Sequence, residues 1–293
     1  MEPIKVIGID VSGSGLFGVV YQLRHRRLKP LREVHEPWKS APDDPTIKRQ
    51  VISFINKMKE YSPGPIGIGA AGVISAGRII VSPNIKGING LNLSKYAGVI
   101  ENDANAFALA EHRFGVGRPY KNAIYITLGT GLGAGIIIDG KLYKGEGRAG
   151  ELGHMIIRYG GITCTCGQAG CLEEYVSARA VKRITRRKTM FGREIDPKQL
   201  SHLAMKGSDH ERIKARLVFN EIGRSLGVGL TNIVNIFDPE AIIIGGRMSE
   251  PLRFMVKGLR ETFCPYTIKI RKKMRKNGIL LGYGILDRNG LSS

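Results

Sequence analysis

His154, Cys164, Cys166 and Cys171 bring one imidazole and three thiols into 18 consecutive residues, the donor set of a tetrahedral structural zinc site. Gly161, Gly167 and Gly170 supply the bends such a loop needs. A disulfide between Cys164 and Cys166 would be badly strained at that separation, and the reading that competes with zinc is a set of reduced, unliganded thiols. Three glycine turns carry a second chemistry: Ser12-Gly13-Ser14-Gly15, Gly129-Thr130-Gly131 and Gly245-Gly246. Successive backbone N–H groups in such turns form an anion nest, and a residue without a Cβ lets a phosphate come close; ordinary tight hairpins are the plainer alternative.

The elements that must position these groups follow from apolar patterning. Ile4–Asp10 and Leu16–Leu23 read as two strands around the first glycine turn, and positions 45–61 carry apolar residues at helical spacing until Pro63-Gly64-Pro65 stops them. Ile66–Ile74 reads as a glycine-laced strand, Gly98–Glu101 as a short strand and Ala104–Phe114 as a helix, which places Asn102-Asp103 at a strand-to-helix junction. The grammar then repeats, with a strand at Asn122–Leu128, a glycine turn, a strand at Ile136–Ile138 and an Asp139-Gly140 hairpin. Residues 129–134 satisfy the G-x-G-x-x-A dinucleotide pattern in letters, but that pattern must open a helix, and here a hairpin follows. A long helix at Glu211–Val234 and a buried strand at Ala241–Ile244 run into Gly245-Gly246. Two similar halves, each opening strand, glycine turn, strand, point to a nucleotide clamped between two lobes.

Composition agrees with a folded, two-domain chain. There are 293 residues, 42% hydrophobic, with 39 glycines, enough for about two domains. No apolar stretch is long enough to span a membrane, and Glu2, Lys5 and Asp10 stand where a signal peptide would be apolar; the sequence predicts a cytoplasmic protein. Lys and Arg number 45 against 25 Asp and Glu, a formal charge of +20, which favours polyanionic partners such as nucleic acid, polyphosphate or nucleoside triphosphates. The charge concentrates in Lys182, Arg183, Arg186, Arg187, Lys188 and Arg193, and in Lys269, Arg271, Lys272, Lys273, Arg275 and Lys276. Polyphosphate could lie along the first run; a solvated basic face is the plainer reading. Cys264 reads as a small core residue.

Three motifs in order then resemble a known family. Glu101-Asn102-Asp103-Ala104-Asn105, Gly150-Glu151-Leu152-Gly153-His154 and the CxCGxxGCxE run from Cys164 to Glu173 are similar to the catalytic, sugar and zinc motifs of the ROK sugar kinases (repressor, open reading frame, kinase) of the actin and hexokinase superfamily. The resemblance implies an α/β, two-domain actin-like (ribonuclease H-like) ATPase fold with a nucleotide and sugar cleft between the domains. It implies one domain over 1–115 plus 278–293, with a last helix near Ile279–Leu286 returning to it, and a larger domain over 116–277 that carries the zinc loop. It further implies Asp103 as general base, with Asn84, Asn102, Glu151, His154 and Glu173 on the sugar. Asp10 would position the Mg²⁺-bound phosphates of ATP, Gly13, Ser14, Thr130 and Gly131 would line them, and Gly245 and Gly246 would border the adenosine. His154 would serve zinc and sugar together. The first loop departs from the family's DxGGTK in having no Lys, and Ala71 and Lys86 stand where many relatives carry proline.

The function so implied is an ATP-dependent hexokinase or glucokinase acting on the 6-hydroxyl of glucose or a related hexose. The same-class alternative is an N-acetylhexosamine kinase of the N-acetylmannosamine type. From another class, some relatives are sugar-responsive repressors with a helix-turn-helix ahead of the first strand, whereas the strand here begins by Ile4; nucleic acid is therefore not the expected partner. Relatives suggest a homodimer or homotetramer.

Overall fold

The structure, a computed structural model, describes residues 3–25, 27–263, 269–271 and 285–287. The chain divides into two compact units: residues up to Arg118 with Leu142–Ala149, and Pro119–Lys141 with the described residues from Gly150 on.

In the first unit, β1 (Ile4–Ser12), β2 (Gly15–Arg24), β3 (Arg27–Glu36), β4 (Ile66–Ala70) and β7 (Val99–Asn102) form a sheet ordered β3-β2-β1-β4-β7. β1 pairs antiparallel with β2 and parallel with β4. Strict alternation buries Ile7, Ile9 and Val11 on one face of β1, where they meet Val51, Phe54, Ile55 and Met58 of α1 (Ile47–Tyr61). Burying one such side chain contributes about 1.5–3 kcal/mol. Ser62 ends α1 in an extended conformation, as the residue before Pro63 must. Asp10 lies in the other set of the β1 alternation, level with Gly69 of β4. A Cβ on Gly69 would sit 3.3 Å from Ala106 Cβ and 3.7 Å from Asp103 Cα, so this glycine lets α2 (Asp103–Phe114) lie close against the sheet.

The predicted strand over Ile66–Ile74 is two pieces. Gly72, at φ +121°, turns the chain against the Val81 carbonyl, and β5 (Val73–Ser75) pairs instead with β6 (Arg78–Val81) in a separate two-stranded sheet.

The second sheet is ordered β10-β9-β8-β11-β13-β12, from β8 (Ala123–Leu128), β9 (Leu132–Ile138), β10 (Lys141–Tyr143), β11 (Ala241–Gly245), β12 (Lys269–Arg271) and β13 (Ile285–Asp287). β9 starts directly after the glycine turn, four residues earlier than apolar patterning predicts, because Gly133 and Gly135 keep ladder pairs with β8. β8 and β11 run parallel with Gly245 opposite Thr127, which brings the exits of both strands to one end of the sheet. Helices α3 (Glu173–Val176), α4 (Ala178–Arg186), α5 (Pro197–Lys206), α6 (Asp209–Phe237) and α7 (Leu252–Thr262) complete the unit. A capping box of Ser208 and Glu211 starts α6, and Gly223 and Gly227 let it press against the α7 backbone.

The helix expected near Ile279–Leu286 is not what the described residues show: Ile285 and Leu286 lie in β13, antiparallel to β11, where β-branched and aliphatic residues extend a ladder. Positions 279–284, Cys264 and the second basic run from Lys272 lie outside the described residues.

Candidate functional site

The first unit gathers Asp10, the Ser12–Gly15 turn, Asn102 and Asp103. Asn102, the last residue of β7, caps α2: its Oδ1 accepts from Ala104 N at 2.9 Å and from Asn105 N at 3.2 Å, while its Nδ2 donates to the Gly72 carbonyl at 3.0 Å. Asp103 is the first helical residue, exposed, its Oδ1 sharing the Ala104 N–H at 2.9 Å. Although part of the residue's surface meets solvent, protein packed around the Asp103 carboxyl desolvates it and raises its pKa against the pull of its backbone hydrogen bonds. Asp10 is pushed up to about 6, first by burial and then by the Asp103 charge, with Ser12 pulling the other way. The turn beyond it is held from behind by Trp38, whose Nε1 donates to the Ser12 carbonyl at 3.0 Å. Gly13 and Ser14 are exposed, and a Cβ on Gly13 would meet no atom within 4 Å. Asn84 is exposed on the loop between β6 and the 3₁₀ turn Lys86–Ile88.

Glu101 of the first motif carries no role in the reading of the sequence. It is 6% exposed; its Oε1 accepts from Asn102 N at 3.0 Å and Asn105 Nδ2 at 3.2 Å, and Lys144 pairs with its Oε2. A carboxylate inside an apolar strand was the available signal, since a buried charge needs partners.

In the second unit the four expected metal ligands converge. His154, Cys164, Cys166 and Cys171 each offer a donor atom within 4.8 Å of all the others, with His154 Nδ1 3.6 Å from Cys164 Sγ and Cys166 Sγ 3.6 Å from Cys171 Sγ. Zn–S bonds of about 2.3 Å at tetrahedral angles put ligand atoms roughly 3.8 Å apart, so the donors fit a zinc ion. The loop is folded for it: Cys164 N donates to the Gln168 carbonyl at 2.7 Å, and Gly167 N to the Cys164 carbonyl at 3.0 Å. The other imidazole nitrogen of His154, Nε2, faces Glu151, 3.8 Å from its Oε2 and beyond hydrogen-bond distance.

The same unit holds the second glycine turn. Gly129 N donates to the Gly131 carbonyl at 2.9 Å, and Ala178 N to the Gly129 carbonyl at 2.9 Å. Thr130 is exposed, and the Cβ direction of Gly129 is open for 4 Å. Gly131 is different. The space its Cβ would take is filled by the Glu173 carboxylate, not left free for a phosphate. Glu173 Oε2 accepts from Leu132 N at 2.7 Å, and its Oε1 is held by Arg179, which also reaches Glu174 Oε1 at 2.8 Å. Gly246, at φ +87°, packs on the Leu128 backbone, so Gly245-Gly246 borders the strand that enters the turn.

The basic run Lys182–Arg193 starts on α4 but does not present a uniform cationic face. Arg186 pairs with Glu194 at 2.7 Å, Arg187 with Glu221 at 2.8 Å, and Arg183 lies over the Tyr175 ring. No helix among the described residues is long and apolar enough to cross a membrane.

Residues 6–281 match the ROK family. The chain is 33% identical to a xylose repressor of Caldicellulosiruptor bescii, over 95% of this chain and 76% of that one. It is 31% identical to a glucokinase of Thermotoga maritima, over 91% and 89%. Among solved structures, a ROK family glucokinase from Streptomyces griseus in complex with glucose and AMPPNP superposes with a TM-score of 0.71 at 31% identity, over 88% of each chain. The α/β units thus form the two-domain actin-like fold of ROK kinases, and the chain belongs to the ROK family.

Proposed function

We propose that this chain is an ATP-dependent sugar kinase that transfers the γ-phosphoryl group to the 6-hydroxyl of glucose or a related hexose. The observation that carries the reading is the division of labour at the start of α2: Asn102 caps the helix, and Asp103 presents an exposed carboxylate beside Asp10. A sugar hydroxyl is a poor nucleophile at neutral pH, and a carboxylate with a raised pKa accepts its proton as the oxygen attacks phosphorus and the bond to the β-phosphate oxygen breaks. The helix N-terminus favours the ionised form of Asp103, opposing the desolvation that raises its pKa.

The sugar contacts are assigned to Asn84, to the second Nδ2 hydrogen of Asn102, and to Glu151, His154 and Glu173. A carboxylate offers about four acceptor sites, so Glu173 can receive a sugar hydroxyl while it holds Leu132 N and Arg179. The backbone at Gly13, Ser14, Thr130 and Gly131 lines the phosphates, and Gly245 and Gly246 border the adenosine. Asp10 is the residue of this chain that would hold the Mg²⁺ of the nucleotide; bound there, the ion neutralises phosphate charge. Zinc at His154, Cys164, Cys166 and Cys171 is structural in this reading: it orients His154, which turns Nε2 toward Glu151.

The test is a coupled ADP-release assay across glucose, mannose, fructose and N-acetylmannosamine with ATP as donor. Turnover of glucose supports the hexokinase assignment, and turnover of N-acetylmannosamine alone moves the acceptor to the N-acetylhexosamines. Sugar binding without turnover of any acceptor overturns the kinase reading in favour of the regulator, a reading that the likeness to a xylose repressor keeps specific.

A further inference from the structure

Glu173 is tied to the glycine turn on both sides of its carboxylate. Oε2 takes the Leu132 amide at 2.7 Å and fills the space beside Gly131. Oε1 is held by Arg179, whose guanidinium also binds the buried Glu174. At the other end of the turn the Gly129 carbonyl is held by the amide of Ala178, the residue before Arg179. The Leu132 carbonyl packs on Gly153, where a Cβ would approach to 2.5 Å. The backbone from Gly129 to Leu132 therefore rests on the two segments that carry Glu151, His154 and Glu173.

Charge gives Arg179 a specific task. A lone carboxylate against a turn of backbone N–H groups repels any anion brought to that turn, and the repulsion is strong where solvent is partly excluded. Arg179 offsets that charge: its Nη2 alone contacts both carboxylates, and a lysine ammonium, one bond nearer the Cα, stops short of that position.

We propose that Arg179 is a positioning residue that holds Glu173 as a clamp on the Gly129–Leu132 turn, coupling occupancy of the sugar at Glu173 to occupancy of the nucleotide phosphates at the turn. The identities of the two ligands rest on the kinase reading above. A sugar hydroxyl donating to Glu173 restrains the same carboxylate that fixes the Leu132 amide. The turn then gives up less freedom on meeting phosphate. By linkage the nucleotide must tighten the sugar by the same factor.

The experiment titrates glucose and a non-hydrolysable ATP analogue with Mg²⁺, each with and without the other, and measures hydrogen exchange of the Leu132 amide in ligand-free protein. The proteins are the wild type, Arg179→Lys, and Arg179→Met/Glu174→Gln, the last to avoid leaving Glu174 buried and unpaired. In the wild type each ligand is expected to tighten the other by about 5-fold or more, and in both variants by less than about 2-fold. The Leu132 amide is expected to exchange faster in both variants. A lowered Tm with the coupling factor intact would make Arg179 merely structural and overturn the proposal, as would a wild type that binds both ligands independently. A wild type that binds neither probe overturns the kinase reading instead; the clamp is then judged by the Leu132 amide, faster exchange in the variants supporting it and unchanged exchange overturning it.

Discussion

The Asn102 side chain bridges the Gly72 carbonyl and the first free amides of α2, and so fixes the residue that follows it, Asp103, at the helix entrance. In the proposed mechanism capping and proton transfer fall to these neighbouring residues, and substitution separates them. Asp103→Asn is expected to lower kcat by at least about 10²-fold with little change in Tm. Asn102→Ala is expected to cost about 1 kcal/mol of stability, the usual worth of a cap. Steady-state kinetics and thermal melts of the two variants check the pair; near-normal turnover in Asp103→Asn would remove the base from the mechanism.

Asp10 makes stability depend on pH in a defined direction. Its pKa rises from the ordinary 3.8 to about 6 in the folded chain, so across that window the folded state keeps a proton that the unfolded state has released. Stability is then expected to fall as pH rises from about 4 to 6. Asp10→Asn should flatten that dependence. Melts of Mg²⁺-free, nucleotide-free protein across this range provide the measurement, and a wild type and variant with parallel pH profiles would contradict the placement of Asp10.

Metal content tests the loop around His154. Purified protein is expected to carry about one zinc per chain, and Cys166→Ser to lose metal, thermal stability and glucose affinity together. Elemental analysis of unoxidised protein and glucose titration give the two readouts. Full glucose affinity in the metal-free variant would separate the loop from the sugar site.

Gly129 and Gly131 share one turn yet face different surroundings. Gly131→Ala drives a methyl into the Glu173 carboxylate and is expected to cost on the order of 1–3 kcal/mol. Gly129→Ala meets open space in the protein alone, so it should keep the Tm and raise the KM for ATP. Equal effects of the two substitutions on Tm would contradict the assigned packing.

Arg186 and Arg187 of the first basic run are already paired with Glu194 and Glu221, which favours a solvated face over a polyphosphate track along these two side chains. Lys182→Ala and Arg186→Ala are expected to change kcat/KM for ATP by less than about 3-fold, within the range of exposed charges. Phosphorylation driven by polyphosphate, lost in these variants and steeply weakened by salt, would reverse that assignment.

The local groups were legible in the sequence because their geometry is set by neighbours along the chain. The four candidate metal ligands lie within 18 residues of chain, the Ser12–Gly15 turn joins adjacent strands, and Asn102-Asp103 sits where a strand ends and a helix begins. Apolar alternation in β1 and the spacing in α1 carried the core in the same way. The pairings across long stretches of chain were decided only on folding. Glu101 meets Lys144, Asn102 meets the Gly72 carbonyl, and Glu173 reaches back to Leu132, none of which a residue's neighbours along the chain disclose. Gly131 makes the difference plain. Its residue type was readable as a place where a side chain must be absent, but that the absent side chain makes room for Glu173 depends on α3 reaching the start of β9, and a largely buried carboxylate settles wherever tertiary structure supplies its N–H donors and its cation.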